Sequence, residues 1–164
     1  KPTAHELTMD SIQVSALTED LLQLLNAQAI KKNIRLLHEV EEHIQVYANE
    51  AMLQAILRNL LTNALKFTPP GGRVTLKAFR KGPKAWFEVA DTGFGISEEE
   101  KQYILQDDIH FAKQGTAREK GNGLGLKITR EFIDRHGSKL HIEGTPGKGS
   151  RFSFALKGIK GGKD

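Results

Sequence analysis

The fold can be inferred by starting from residues 59–69, which have the sequence Asn59-Leu60-Leu61-Thr62-Asn63-Ala64-Leu65-Lys66-Phe67-Thr68-Pro69. They form the end of the most strongly patterned helix in the chain. Asn49 is expected to cap its start, and the Pro69-Pro70-Gly71-Gly72 run to stop it. Apolar residues recur at helical spacing along one side: Leu53, Leu57, Leu60, Leu61 and Ala64. The sequence therefore predicts a helix with one buried face.

A polar stripe lies away from that apolar face. Asn59, Asn63 and Lys66 stand at positions i, i+4 and i+7 and so share one side of the helix. Such a stripe can simply be solvated, but asparagine is a poor helix former and costs up to about 0.7 kcal/mol relative to alanine. A carboxamide oxygen can ligate Mg²⁺, and an ammonium group can neutralise phosphate oxygens. The stripe is therefore either a solvated surface or part of a magnesium and phosphate site.

The chain before this helix is predicted to hold a strand, a helix and a hairpin. Ile12 and Val14 alternate with polar residues, and Ser15 can cap a helix that ends near Lys31. Residues 34–40 and 44–48 are rich in strand-forming side chains. Because a charged turn at residues 41–43 separates them, they are expected to pair as a hairpin.

The chain after the helix alternates between strands and helices in an irregular order. Strands are predicted at residues 73–80, 84–91, 140–143 and 151–156, and the first two are joined as a hairpin. Ser97 and Glu100 form a capping box for a helix through Gln106, and a second helix runs from about Leu124 to His136. Residues 107–121 have no periodicity and are predicted to be a loop. This order favours an α+β fold of two layers, with a mixed, mostly antiparallel sheet and helices on one face.

Two further segments suit a nucleotide. Asp91-Thr92-Gly93-Phe94-Gly95 follows a predicted strand, so its backbone could approach a flat ligand while Asp91 accepts a hydrogen bond from an exocyclic amine; a plain glycine turn is the alternative. Residues 121–126, Gly-Asn-Gly-Leu-Gly-Leu, open a helix, whose N–H groups can bind an anion, or are a flexible linker. This segment is not the dinucleotide fingerprint, because its third glycine falls one position early.

Composition limits the remaining possibilities. The chain has 164 residues, enough for one domain with its own core, and no cysteine, which excludes a disulfide framework and suits a reducing cytoplasm. No run approaches the roughly 18 apolar residues of a membrane span, and no secretion signal is evident. The net charge is +4, and the lysines are not interleaved with aromatic residues as in a nucleic-acid binder. We expect a soluble piece that does not bind nucleic acid.

The four segments together resemble the N box and the glycine boxes of the sensor histidine kinases. They occur in the family's order, at residues 59–69, 91–96, 121–126 and 146–150, and the resemblance runs from about Ser15 to Leu156. It implies the Bergerat fold, in which ATP lies between two helices under a mobile lid. It also implies a connecting segment and first strand at residues 1–14, a catalytic ATP-binding domain at 15–157 with a lid at about 107–122, and a flexible tail at 158–164.

The resemblance assigns roles residue by residue. Asn63 would ligate Mg²⁺ with help from Asn59, Lys66 would contact phosphate, and Asp91 would bind the adenine amino group. Gly93 and Gly95 would let the loop pass the base. The rest of the implied ATP site comprises Phe67, Ile96, Gly121, Gly123, Leu124, Gly125, Leu126, Gly149 and Ser150. In the lid, Phe111 would occupy the F box, and Lys113, Arg118 or Lys120 would reach the γ-phosphate.

The resemblance further implies a protein-histidine kinase whose acceptor histidine is not in this chain. His5-Glu6-Leu7 looks like the start of an acceptor box, but no Arg-Thr-Pro follows it. The acceptor would lie on a helical dimerisation domain of the same kinase, which would pass phosphate to a response regulator. The domain alone is expected to be monomeric and cytoplasmic, and the full-length protein a homodimer anchored in the inner membrane. An anti-sigma-type serine kinase and a non-catalytic ATP-sensing module are alternatives.

Overall fold

The computed structural model describes residues 7–106, 113–114, 120–121 and 124–159, with only the backbone given for residues 113, 114, 120, 121, 124 and 125. Four helices are present in these ranges: α1 (Val14–Lys31), α2 (Glu50–Phe67), α3 (Glu98–Leu105) and α4 (Leu124–Arg135). The strands are β1 (Asp10–Gln13), β2 (Arg35–Val40), β3 (Gln45–Ala48), β4 (Arg73–Lys81), β5 (Lys84–Asp91), β6 (Lys113–Gln114), β7 (Lys120–Gly121), β8 (His141–Gly144) and β9 (Ser150–Lys157).

The main sheet has five strands in the order β2-β4-β5-β9-β8. Its β2–β4 pair is parallel, and its other pairs are antiparallel. Two small antiparallel ribbons, β1–β3 and β6–β7, accompany it. The fold is therefore the predicted α+β type, with a mixed and mostly antiparallel sheet backed by helices.

Helix α2 forms the centre of the core for the reason the sequence indicated. Leu53, Leu57 and Leu61 on its apolar face are fully buried, and the helix packs against β4, β5, α1 and α4. Asn49 caps its start, because the side-chain Oδ1 accepts a hydrogen bond from Met52 N at 2.9 Å. Burying each leucine contributes about 1.5–3 kcal/mol, so this face fixes α2 on the sheet.

Helix α4 is joined to α2 by a histidine. The backbone N–H of Asn49 donates to Nε2 of His136 at 3.1 Å, and Nδ1 of His136 lies 2.7 Å from the carbonyl oxygen of Phe132. Because Nε2 accepts a hydrogen bond, the proton of the neutral ring lies on Nδ1. The end of α4 is thereby held at the start of α2, and the two helices run side by side past the sheet.

Three local predictions are wrong. Within the predicted loop at residues 107–121, residues 113–114 and 120–121 pair as the β6–β7 ribbon, because strands of two residues are too short to leave a periodic pattern. Residues 35–40 and 45–48 do not form a hairpin: β2 pairs in parallel with β4, and β3 pairs with β1. The turn between them has His43 at φ +69°, but a turn does not decide which distant backbone groups pair with each strand. Ser15 does not cap α1, which starts at Val14 after Gln13; there is no side-chain cap. The backbone of Val14 donates instead to Ile44 O at 3.1 Å.

The two ends of the described chain are tied together. Ile12 of β1 is buried in the core, and Val46 of β3 forms an isolated bridge with Gly158. Ile159 N donates to Gln45 O at 2.9 Å, so backbone pairing extends two residues past the boundary expected at 157. Across the described ranges, no helix has both the length and the apolar character that crossing a bilayer requires.

Candidate functional site

One cavity lies where α2, α3, α4 and the ends of β5 and β9 meet. Its walls are partly apolar and carry a few polar groups, as expected of a small-molecule site. The lining residues are Asn63, Phe67, Asp91, Gly95, Ile96, Glu100, Ile104, Leu126, Ser150 and Phe152. The four sequence segments that were singled out separately therefore meet at one place.

Asp91 is held rigidly at the end of β5. Its Oδ1 accepts a hydrogen bond from Gly93 N at 2.8 Å, and its Oδ2 accepts one from the hydroxyl of Ser150 at 2.7 Å. Each carboxylate oxygen has two lone-pair sites, so it can accept hydrogen bonds from more than one donor. The carboxylate is thus oriented toward the cavity it lines.

The glycines of this loop are required by protein packing. A Cβ added at Gly93 would overlap the carbonyl oxygen of Phe67, the last residue of α2. Phe94 N donates to that same oxygen at 3.3 Å, and Phe94 O accepts from Gly147 N at 2.6 Å. The loop is therefore fastened to α2 on one side and to the β8–β9 turn on the other, a reason for glycine that the sequence analysis did not foresee.

The polar stripe of α2 faces two environments. Asn63 lines the cavity, and Asn59, one turn earlier, donates from Nδ2 to the hydroxyl of Thr129 on α4 at 3.4 Å. This contact turns the amide oxygen of Asn59 away from Thr129. Lys66 is partly exposed one turn beyond Asn63 and is not among the residues that line the cavity.

The end of α2 is stabilised by a residue that the sequence analysis missed. The ammonium group of Lys32 donates to the carbonyl oxygens of Leu65 and Lys66, each at 2.9 Å. A cation at these carbonyls is favoured because they carry the partial negative charge of the helix end. Lys32 follows α1, so nothing local connects it with the stripe.

The predicted residues divide into four groups. The cavity brings together Asn63, Phe67, Asp91, Gly95, Ile96, Leu126 and Ser150. Asn59, Lys66, Gly93 and Gly149 lie beside it, and the backbones of Lys113, Lys120, Gly121, Leu124 and Gly125 belong to β6, β7 and the start of α4. Phe111, Arg118 and Gly123 lie outside the described residues.

Three cavity residues were not predicted. Glu100 was recognised only as the partner of Ser97 in the capping box, which the structure confirms. Ile104 lies one turn after Glu100 on α3, and Phe152 is a buried residue two positions after Ser150 on β9. Ile104 could have been predicted from helical spacing after Glu100, and Phe152 from strand alternation after Ser150.

Comparison with known families agrees with the fold and this site. Residues 48–158 match the model described as histidine kinase-, DNA gyrase B-, and HSP90-like ATPase. The chain therefore belongs to this ATPase family. The match includes α2, the Asp91 loop, α4 and β9, which are the elements that surround the cavity.

The similar proteins belong to the histidine kinase branch. Adaptive-response sensory kinase SasA of Crocosphaera subtropica is 34% identical over 142 residues, 85% of this chain and 37% of that protein. Circadian input-output histidine kinase CikA of Synechococcus elongatus is 35% identical over 150 residues, 90% of this chain and 20% of that protein. The chain thus spans only a minor part of these two relatives.

Comparison with a solved structure supports the same family and fold. The catalytic domain of histidine kinase ThkA superposes with a TM-score of 0.80 at 27% identity, covering 92% of this chain and 98% of that one. The chain is thus a catalytic ATPase domain of the histidine kinase type, with the Bergerat fold that the resemblance implied.

Proposed function

We propose that this domain binds Mg-ATP in the cavity and transfers the γ-phosphoryl group to a histidine on a separate helical domain. The observation that carries the proposal is the meeting of Asn63, Asp91, Leu126 and Ser150 around one cavity. They come from α2, β5, α4 and β9, and each belongs to a different motif. Their convergence is what a shared nucleotide site requires.

The adenine would lie at the Asp91 end of the cavity. The carboxylate, fixed by Gly93 N and Ser150 Oγ, would accept a hydrogen bond from the exocyclic amine. Ile104, Leu126 and Phe152 would contact the faces of the purine, because the cavity walls there are apolar. Affinity would come from apolar burial, and base specificity from the carboxylate.

The triphosphate would extend toward the polar stripe of α2. The amide oxygens of Asn63 and Asn59 are hard oxygen ligands of the kind Mg²⁺ accepts, and the hydrogen bond from Asn59 to Thr129 orients the second amide. Bound Mg²⁺ would supply charge neutralisation at the phosphate oxygens. Lys66 and the N–H groups at the start of α4 would add positive potential.

Transfer is favoured over hydrolysis by the residue one turn before Asn63. That residue is Asn59, whose neutral amide cannot take a proton from water as a general base would. Phosphoryl transfer needs mainly positioning and charge neutralisation, so a nucleophile from another domain is sufficient. We therefore propose a histidine acceptor on the dimerisation domain of the same full-length kinase and a response regulator downstream. We also propose that the full-length protein is a homodimer anchored in the inner membrane.

Calorimetric titration with a non-hydrolysable ATP analogue, with and without Mg²⁺, tests the binding step. The wild-type domain should bind more tightly with Mg²⁺, and Asn63→Ala should remove that dependence because the amide ligand is lost. Gln54→Ala, an exposed amide on the same helix, is the matched control and should retain it. A persistent Mg²⁺ dependence in Asn63→Ala would contradict the assignment.

Incubation of the full-length kinase with γ-labelled ATP tests the transfer step. Phosphohistidine is labile in acid, so the label should be lost on acid treatment. Acid-stable label would indicate a serine kinase instead. Nucleotide binding without any labelling would indicate an ATP-sensing module.

A further inference from the structure

Arg130 of α4 makes a connection that the proposed reaction does not use. Its Nη1 donates to the carbonyl oxygens of Ile104 at 3.0 Å and of Gln106 at 2.7 Å. These carbonyls lie at the end of α3, whose last turn contains no basic residue. Because helix-end carbonyls have no partner within the helix and carry partial negative charge, a guanidinium group there both satisfies and stabilises them.

This contact joins two walls of the cavity. Helix α3 contributes Glu100 and Ile104, and α4 contributes Leu126, which lies one turn before Arg130 on the same side of the helix. The distance between these walls therefore depends on how α3 is held against α4.

Helix α3 packs on the core near its C-terminal end, through the buried Ile104 and the partly buried Leu105. Strand β5 pairs with β9 along its whole length and packs against α2, whereas α3 is a short helix that takes no part in this pairing. Its one buried side chain is Ile104, which is itself part of the cavity wall. The capping box of Ser97 and Glu100 stabilises the start of α3 but is internal to it.

We propose that Arg130 is a positioning residue for nucleotide binding: its guanidinium group holds the end of α3 against α4 and so keeps the Glu100 and Ile104 wall in place. The inference rests on the proposed nucleotide site. Arg130 acts through α3 and does not contact the reacting groups. Loss of the contact should lower the fraction of molecules with a formed cavity, and the apparent affinity falls by that fraction.

The test compares Arg130→Met and Arg130→Lys with Arg58→Met, which removes one exposed cation from α2. We expect the dissociation constant for the ATP analogue to rise about tenfold in Arg130→Met, less in Arg130→Lys, which keeps a charge near the carbonyls, and not in Arg58→Met. In the full-length kinase, the KM for ATP should rise while kcat at saturating ATP stays unchanged. Amide hydrogen exchange without nucleotide should be faster over residues 98–106 in Arg130→Met.

The measurements distinguish a failure of the proposed function from a failure of the positioning role. If the wild-type domain does not bind nucleotide, the proposed function fails, and the exchange measurement still tests the contact. Wild-type affinity or unchanged exchange in a folded Arg130→Met would overturn the positioning role, as would a fall in kcat with unchanged KM. If circular dichroism shows that Arg130→Met is unfolded, Arg130→Lys decides: faster exchange in α3 with unaltered affinity would overturn the proposal.

Discussion

Asp91 shows how a single side chain can combine structure with recognition. It is the last residue of β5, and its two carboxylate oxygens accept hydrogen bonds from a backbone N–H and from the hydroxyl of Ser150. Because both of these partners donate hydrogen bonds, the group between them must be an acceptor. An amine of the base would be a further donor, from which a carboxylate oxygen can accept and a carboxamide nitrogen cannot.

Asp91→Asn should therefore weaken binding of adenine nucleotide at least about a hundredfold, because an NH₂ donor would replace one of the two acceptor oxygens. Calorimetry with the ATP analogue measures the effect. Glu88→Gln, on the same strand but on the opposite face of the sheet, is the control and should bind normally. Unchanged affinity in Asp91→Asn would count against the adenine assignment.

Two glycines of the β8–β9 turn are alike in sequence and unlike in surroundings. Gly149 has φ +85°, and a Cβ there would overlap the carbonyl oxygen of Asp91. Gly147 has φ +81°, but a Cβ there would meet no atom within 4 Å. At both positions the positive φ disfavours any residue other than glycine. At Gly149 the close approach of the Asp91 carbonyl disfavours a side chain as well.

Gly149→Ala should accordingly lower the free energy of unfolding by about 3 kcal/mol or more, and Gly147→Ala by only about 1 kcal/mol. Equilibrium urea denaturation of the two variants gives the comparison. Equal losses would mean that backbone conformation alone makes Gly149 necessary.

At the scale of elements, the cavity depends on how helix ends are held. Lys32 binds the end of α2, Arg130 binds the end of α3, and His136 joins the end of α4 to the start of α2. In each case the group that satisfies a helix end comes from another element. These contacts fix the ends of helices that form or flank the walls of one site.

Lys32→Met should lower the free energy of unfolding by about 1–2 kcal/mol, because two carbonyls at the end of α2 lose a charged, partly buried donor. Its exposed neighbour Lys31 provides the control, and Lys31→Met should change stability by less than about 0.5 kcal/mol. Urea denaturation distinguishes them, and similar losses would show that the contact contributes little.

At the scale of the whole molecule, the β1–β3 ribbon connects the first and last described segments. Val46 bridges to Gly158, Ile159 N donates to Gln45 O, and a guanidinium nitrogen of Arg80 donates to Ile159 O at 3.3 Å. The ribbon is thus attached to the end of β9, and through it to the main sheet.

Removal of residues 158–164 should lower the free energy of unfolding by about 1–3 kcal/mol, since Gly158 N and Ile159 N both make backbone hydrogen bonds. Removal of residues 160–164 alone is the matched control and should cost less than about 0.5 kcal/mol, because that segment has no apolar pattern. If the two truncations are equally stable, the contacts of Gly158 and Ile159 do not matter.

Several features could be predicted because their causes lie within a few residues. The Asn49 cap, the capping box of Ser97 and Glu100, and the leucine face of α2 all depend on neighbours along the chain. Strands β4 and β5 were found for the same reason, since alternation is a local pattern. The ATP-binding fold was predicted from the order of four motifs taken together, because no single motif specifies it.

The sequence by itself thus determined the type of each main element, the α+β class and the family. The tertiary structure alone decided that β2 pairs with β4, that Lys32 and Arg130 hold helix ends, and that Glu100, Ile104 and Phe152 line the cavity. The physical reason is the range of the interactions. Helix caps and alternation depend on adjacent residues, whereas strand pairing and cavity walls depend on which distant groups meet when the core closes.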